Sequence, residues 1–247
     1  MTIHDFRSQR LYIDLPFVKG HAIQASREQA NYLLNVMRLT DGSNLLVFNG
    51  KQGEWSARVT IKGRKKCDLV PEEQIRIQTV RSNLIYCFAP LKQARLDYMI
   101  QKAVEMGVGV LQPVITEYTQ VRSINEKRVH ANVIEAAEQC GILALPEIRK
   151  PVQLKNLRSN LETAPLVFCD ENANSADELG NFSGFQTSLS LALLIGPEGG
   201  FSQTERDMLQ SWDHVVRLGL GPRILRADTA AVAALAIIQS RTGDWYL

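Results

Sequence analysis

Apolar and polar residues alternate in "RLYIDL" (residues 10–15), the pattern of a strand with one wet face. The spacing then turns helical. Leu33, Leu34, Val36, Met37 and Leu39 share one side of "SREQANYLLNVMRL" (residues 26–39), and Ser26 with Gln29 stands at capping-box spacing. Strand patterns return in "NLLVFNG", "EWSARVTIKG" and "CDLVPEE", with turn signals at Asn49 and Gly50 and at Lys62 and Gly63. Several short strands and one helix predict a small barrel-like domain of about 70 residues. "VPEEQ" (residues 70–74) reads as the linker that ends it.

From there the rhythm changes. "SNLIYCFAPL", "VLQPVI", "PLVFCD" and "LSLALLIG" are apolar throughout. Between and after them lie helical stretches: "LDYMIQKAVEMG", "EKRVHANVIEAAEQCG", "SQTERDMLQSW" and "ADTAAVAALAIIQS". The first two stop at glycine. A further strand, "HVVRLGLG", precedes the last helix. Continuous apolar strands alternating with helices predict an α/β domain whose parallel sheet is covered on both faces. The division is residues 1–72 and 73–247. Ligands of such sheets bind at the carboxyl ends of the strands.

Composition changes this picture little. Hydrophobic residues make up 45% of the 247 positions and charged residues 22%, as in ordinary globular proteins. No run of about 18 apolar residues predicts a membrane span, and "MTIHDFRSQR" has no signal-peptide stretch, so a cytoplasmic protein is expected. The four cysteines form no CxxC pair and the four histidines no HExxH, which speaks against a metal site. Charge is more telling once divided. Residues 1–73 hold 11 Lys and Arg against 8 Asp and Glu, with a cluster in "RVTIKGRKK" (residues 58–66). Such a basic edge can track phosphates, or can be a lysine-bearing strand edge that resists sheet-to-sheet pairing.

The chemistry is concentrated near the C-terminus. "GPEGG" (residues 196–200) ends one predicted strand, and "LGLGPRILR" (residues 218–226) ends the next. Two glycine-bearing loops would therefore share one rim of the sheet. Glycines let the main chain approach a ligand, and Pro197 and Pro222 stiffen that approach. Neither GxGxxG nor GxxxxGK[ST] occurs, and Glu198 inside the first loop disfavours a polyphosphate. A cationic or neutral ligand suits it better. The alternative is a pair of tight strand–helix turns with no ligand. Small residues at Ala227, Ala230, Ala231, Ala233, Ala234 and Ala236 argue against that, because they let backbone pack closely.

"LLIGPEGGFSQTE" and "LGLGPRILRADTAAVAALA", with "LDYMIQKAVEMGV" and "VIEAAEQCGILALPEI" ahead of them, resemble the RsmE family of ribosomal RNA methyltransferases in the SPOUT superfamily. The resemblance covers essentially the whole chain. It departs at Ala227 and Asp228, where the family commonly has Thr and Glu. It implies a SPOUT-type parallel sheet with a C-terminal trefoil knot and a small PUA-like N-terminal domain that binds RNA. It also implies S-adenosylmethionine as donor, N3 of a uridine in 16S ribosomal RNA as acceptor, the small ribosomal subunit as context, and a homodimer. Carried onto this sequence, Ile195, Gly196, Gly200, Leu218, Leu220, Gly221, Ile224 and Leu225 hold the donor.

Uracil N3 becomes nucleophilic only as its proton leaves and charge spreads to the flanking carbonyls. An arginine is the natural group to stabilise that charge, and Arg226 is the candidate. An ion pair from Arg226 to Asp228 or Glu198 is the alternative. Glu198 and Asp228 are the neighbouring acids available as general base, or else carboxylates that only stabilise a loop or a helix N-terminus. Arg7, Arg10 and Arg38, with the basic stretch 58–66, are expected at RNA phosphates, which position a substrate without specifying it. Three rival readings remain: an RNA-binding protein that has lost catalysis, another SPOUT methylation such as ribose 2′-O or guanine N1 of transfer RNA, and a nucleotide-dependent oxidoreductase.

Overall fold

The computed structural model describes residues 8–173 and 190–246. The chain divides into two compact units, residues 1–80 with 137–145 and residues 81–136 with 146–247.

In the first unit, among the described residues, a five-stranded sheet runs β1 (Arg10–Tyr12), β3 (Asn44–Phe48), β4 (Glu54–Gly63), β5 (Lys66–Arg76), β2 (Ile23–Gln24). Its pairings are antiparallel except β1 with β3. One face buries Leu11, Ile13, Leu45, Val47, Ala57, Val59 and Leu69 around Leu33, as period-2 alternation requires. The capping box forms: Gln29 N donates to Ser26 Oγ at 3.1 Å, and Ser26 N to Gln29 Oε1 at 2.9 Å. It starts α1 (Arg27–Asn31), which runs into a π-helical turn, Tyr32–Val36. That wider turn shifts the phase of the helix. Leu33 stays buried, whereas Val36, expected on the apolar side, is exposed.

Two expectations fail in this unit. Residues 70–74, read as a linker, are the second half of β5, paired to β4. Pro71 is tolerated there because the register slips between Ser56 and Ala57, and proline in a strand belongs at such bulges. Arg10, expected at RNA, is buried. Its Nε lies 2.8 Å from Glu54 Oε1, with side chains 3% and 2% exposed, and Arg76 Nε takes the other Glu54 oxygen at 2.8 Å. A guanidinium so committed holds the unit together, since a broken buried pair leaves an uncompensated charge. Arg76 also donates to the Gly141 carbonyl, which explains why residues 137–145 belong to this unit.

In the second unit a parallel sheet runs, among the described residues, β12 (Val215–Leu218), β10 (Leu166–Cys169), β11 (Leu191–Ile195), β6 (Leu84–Phe88), β7 (Val110–Ile115), β8 (Glu147–Ile148), with β9 (Val152–Gln153) also on β7. β6, β7 and β11 are buried along their whole length, as a sheet covered on both faces demands. One face packs Ile85, Cys87, Ala192 and Leu194 against α4 (Leu154–Leu161) and α5 (Gln203–Gln210). The sequence pattern missed α4, although Leu154, Leu157 and Leu161 stand at i, i+3 and i+7. α6 (Ala227–Thr242) packs against β11 and α2 (Gln93–Glu105), with Ala227, Ala230, Ala231 and Ala234 buried. Buried Gln239 ties it down: its Nε2 donates to the Met106 carbonyl, and its Oε1 accepts from Asp244 N. α3 (Glu126–Cys140) precedes the glycine that stops it, Gly141, with φ of 65°.

Candidate functional site

Strands β6, β10, β11 and β12 are parallel, so the loops leaving their carboxyl ends share a rim. There they enclose a cavity of about 440 Å³. The loop after β11 is the bare, stiff one. Gly200 N donates to the Pro197 carbonyl at 2.9 Å and closes the turn, with Gly200 at φ 68°. A Cβ on Gly200 would stand 2.7 Å from Glu171 Oε1, and one on Gly196 would stand 3.0 Å from the Phe201 ring. Phe201 is buried edge-on to Phe168, which anchors the loop in the core. Ser202 and Glu205 then form a second capping box and start α5.

The loop after β12 supplies the opposite wall. Among the described residues, the backbone of residues 219–225 makes no hydrogen bond to other protein groups. Main-chain donors and acceptors lining a cavity need partners, so a ligand or water must satisfy them. All eight residues expected at the donor line this cavity: Ile195, Gly196, Gly200, Leu218, Leu220, Gly221, Ile224 and Leu225. Glu198 and Arg226 line it as well.

Arg226 is the N-cap of α6 and makes no side-chain cap hydrogen bond. Ser, Thr, Asp or Asn would stabilise that position by about 1 kcal/mol, and a cation there opposes the helix dipole. The chain keeps an arginine where helix stability alone would reject one. The alternative of an ion pair is not what forms. Glu198 turns to Arg95, 3.5 Å away, and Asp228 accepts from Thr229 N at 2.9 Å in the first turn of α6. Arg38 is exposed at φ 57° after the π turn, and Arg7 lies outside the described residues. The basic stretch 58–66 runs out along the β4–β5 hairpin beyond the reach of the neighbouring strands, since β3 pairs β4 only up to Arg58 and β2 pairs β5 only at Asp68 and Leu69; Arg64, Lys65 and Lys66 are exposed at its tip.

Sequence reasoning missed Arg95, Cys169, Asp170 and Glu171, all on the cavity wall. The signal was available, since "PLVFCD" and "FAPLKQAR" also leave strands at the ligand-binding rim. Asp170 is fully buried and accepts from Arg206 Nε at 3.1 Å and from an Arg217 terminal nitrogen at 2.9 Å. Arg206 also binds Glu171 and the Phe201 carbonyl, so it locks the glycine loop to β10. Burial, with Asp170 adding to it, pushes the Cys169 thiol up, so it stays protonated at neutral pH and is no nucleophile. The Tyr86 hydroxyl, buried and without a hydrogen-bond partner among the described residues, is pushed well up by burial first, then by Cys169, Cys87 and Asp228. All three carboxylates on the cavity wall face arginines: Asp170 meets Arg206 and Arg217, Glu171 meets Arg206, and Glu198 meets Arg95 at the longest distance, 3.5 Å.

The walls fit an adenosine-sized ligand. Glycines admit main chain, leucine and isoleucine side chains supply apolar surface, and the wall carries charge of both signs, with Asp170, Glu171 and Glu198 against Arg95, Arg223 and Arg226. Among the described residues no group of three or more His, Cys, Asp or Glu is arranged to hold a metal ion, and no helix is long and apolar enough to cross a membrane.

Comparison with known proteins gives the same picture. The RNA methyltransferase domain family matches residues 79–239, and the RNA methyltransferase PUA domain family matches residues 26–72. The chain is similar to ribosomal RNA small subunit methyltransferase E of Rickettsia conorii, with 31% identity over 93% of this chain and 94% of that one. For the Bacillus subtilis protein of the same name the identity is 26%, covering 95% and 97%. Among solved structures, ribosomal RNA small subunit methyltransferase E of Neisseria gonorrhoeae, bound to S-adenosyl methionine, superposes with TM-score 0.79 at 27% identity, covering 95% of this chain and 98% of that one. A Legionella pneumophila protein in complex with SAM gives TM-score 0.81 at 29% identity, covering 95% and 98%.

Proposed function

The chain belongs to the ribosomal RNA small subunit methyltransferase E family, and from that premise we propose that it methylates N3 of a uridine in 16S ribosomal RNA, with S-adenosylmethionine as donor. One observation carries the reading: two lysine-free glycine loops from β11 and β12 meet around one cavity, with Arg226 and Glu198 on its wall. When bound, the donor supplies an activated methyl group. The protein supplies position, which is most of what an in-line displacement needs. Loops 196–201 and 218–226 hold adenosine between main chain and apolar side chains. Arg226 stabilises the charge that spreads to the uracil carbonyls as N3 loses its proton. Glu198 accepts that proton, and Arg95 orients its carboxylate. Asp228 serves the helix N-terminus.

The rest of the reading concerns partners and surroundings. Residues 1–72 bind RNA and residues 73–247 carry the chemistry. Arg38 and the hairpin tip at Arg64, Lys65 and Lys66 contact phosphates, with Arg7. The substrate is RNA within the small subunit, the enzyme is a cytoplasmic homodimer, and its C-terminal strand region is threaded as a trefoil knot. The side-by-side order β12, β10, β11 and the convergence of their loops support the knot. Family membership supports the rest.

Calorimetric titration tests the donor site without turnover. S-adenosylmethionine is expected to bind at least about tenfold more tightly than ATP, a difference of ~1.4 kcal/mol. Equal or tighter binding of ATP would contradict the assignment of this cavity to S-adenosylmethionine.

A further inference from the structure

A further loop on the same rim, the one after β7, is absorbed by none of these roles. Thr116 and Thr119 are buried, at 3% and 4% exposure, and form a closed turn: Thr116 N donates to Thr119 Oγ1 at 2.9 Å, and the two hydroxyl oxygens are 2.8 Å apart. Glu117 N donates to Glu205 Oε1 at 2.8 Å, which clamps the turn to the start of α5. Tyr118 stands at the tip of this fixed turn and is 48% exposed. It lies against the donor loop. A Cβ on Gly199 would come within 3.2 Å of Tyr118 Cβ and 3.6 Å of its Cγ. Glu198, the residue placed to take the proton, is the next one along.

An aromatic ring normally gains by burial. Here a rigid anchor holds one half in water beside the cavity. A flat face in that position suits a flat ligand. A base that is methylated at N3 must leave its stack to reach the donor, and unstacked bases are recognised by stacking on aromatic side chains. We propose that Tyr118 is the stacking platform for the acceptor base, holding the flipped uracil at the mouth of the donor cavity. The inference rests on the methyltransferase reading above.

The test is steady-state transfer to small subunits lacking the modification, for the wild type and for Tyr118→Phe, Tyr118→Leu and Tyr118→Ala, with donor affinity titrated for each. Leucine fills the space against Gly199 but offers no ring face. The Leu and Ala variants are expected to lose about tenfold in kcat/KM for the RNA substrate, the scale of one base–aromatic stack. The Phe variant should match wild type, and donor affinity should be unchanged in all three. A Leu variant as active as wild type would overturn the proposal, because bulk alone would suffice. So would a fall in donor affinity that accounts for the lost rate, because Tyr118 would then only prop the glycine loop. Absence of transfer by the wild type itself would remove the functional reading and this inference with it.

Discussion

Replacing Arg226 with alanine is expected to lower kcat by about 10²- to 10³-fold while donor affinity and thermal stability stay near wild type. The size follows from removing one preorganised donor aimed at developing negative charge. The selectivity follows from position. Arg226 makes no cap hydrogen bond and no ion pair among the described residues, so its loss breaks no interaction that holds the fold. Alanine is no worse than arginine as an N-cap, and it removes a cation from the positive end of the helix dipole. A drop in kcat with constant Tm therefore isolates the chemical role, and Arg226→Lys should recover part of the rate because charge returns without the planar fork. An unchanged kcat would move the charge-stabilising role to Arg95 or Arg223, the other arginines on the cavity wall.

Gly200→Ala is expected to weaken donor binding by on the order of tenfold or more. At φ 68° a side chain costs about 1–2 kcal/mol in backbone conformation alone. Its Cβ would also meet Glu171 Oε1 at 2.7 Å, and moving this partly exposed carboxylate aside gives up its ion pair with Arg206. The strain falls on the turn that places Glu198 and Gly196. Gly221→Ala is the matched control. Its φ is 91°, but a Cβ there meets nothing within 4 Å, so it carries conformational strain without the clash. Titration of both variants should show the larger loss at Gly200. Equal losses would mean that conformation alone decides, and no loss at Gly200 would mean that the turn does not shape the donor site.

Much of this site is legible in the chain because its parts are local. A strand that stops at a glycine, a proline that stiffens the exit and a Ser-x-x-Glu start to the next helix can all be read in a dozen residues, and the structure places those loops on one cavity. What stays hidden depends on contacts distant in sequence. Arg95 meets Glu198 across 103 positions, and they come together only because β6 lies beside β11. Arg10 reads as a surface charge in an alternating strand until Glu54, 44 positions away, is found beside it in the interior. Proline and two glutamates after Val70 look like a linker locally, but a bulge opposite Ala57 accommodates them in a strand. Tyr118 carried no sequence signal at all, since nothing local tells that its ring will lie against Gly199.

The central claim is methyl transfer to uridine N3, and product identification tests it most directly. The purified protein is incubated with labelled S-adenosylmethionine and small ribosomal subunits from a strain lacking the modification, and the digested nucleosides are identified by mass. Labelled 3-methyluridine is the predicted product. A different methylated nucleoside, or no transfer by a protein that demonstrably binds the donor, would contradict the account.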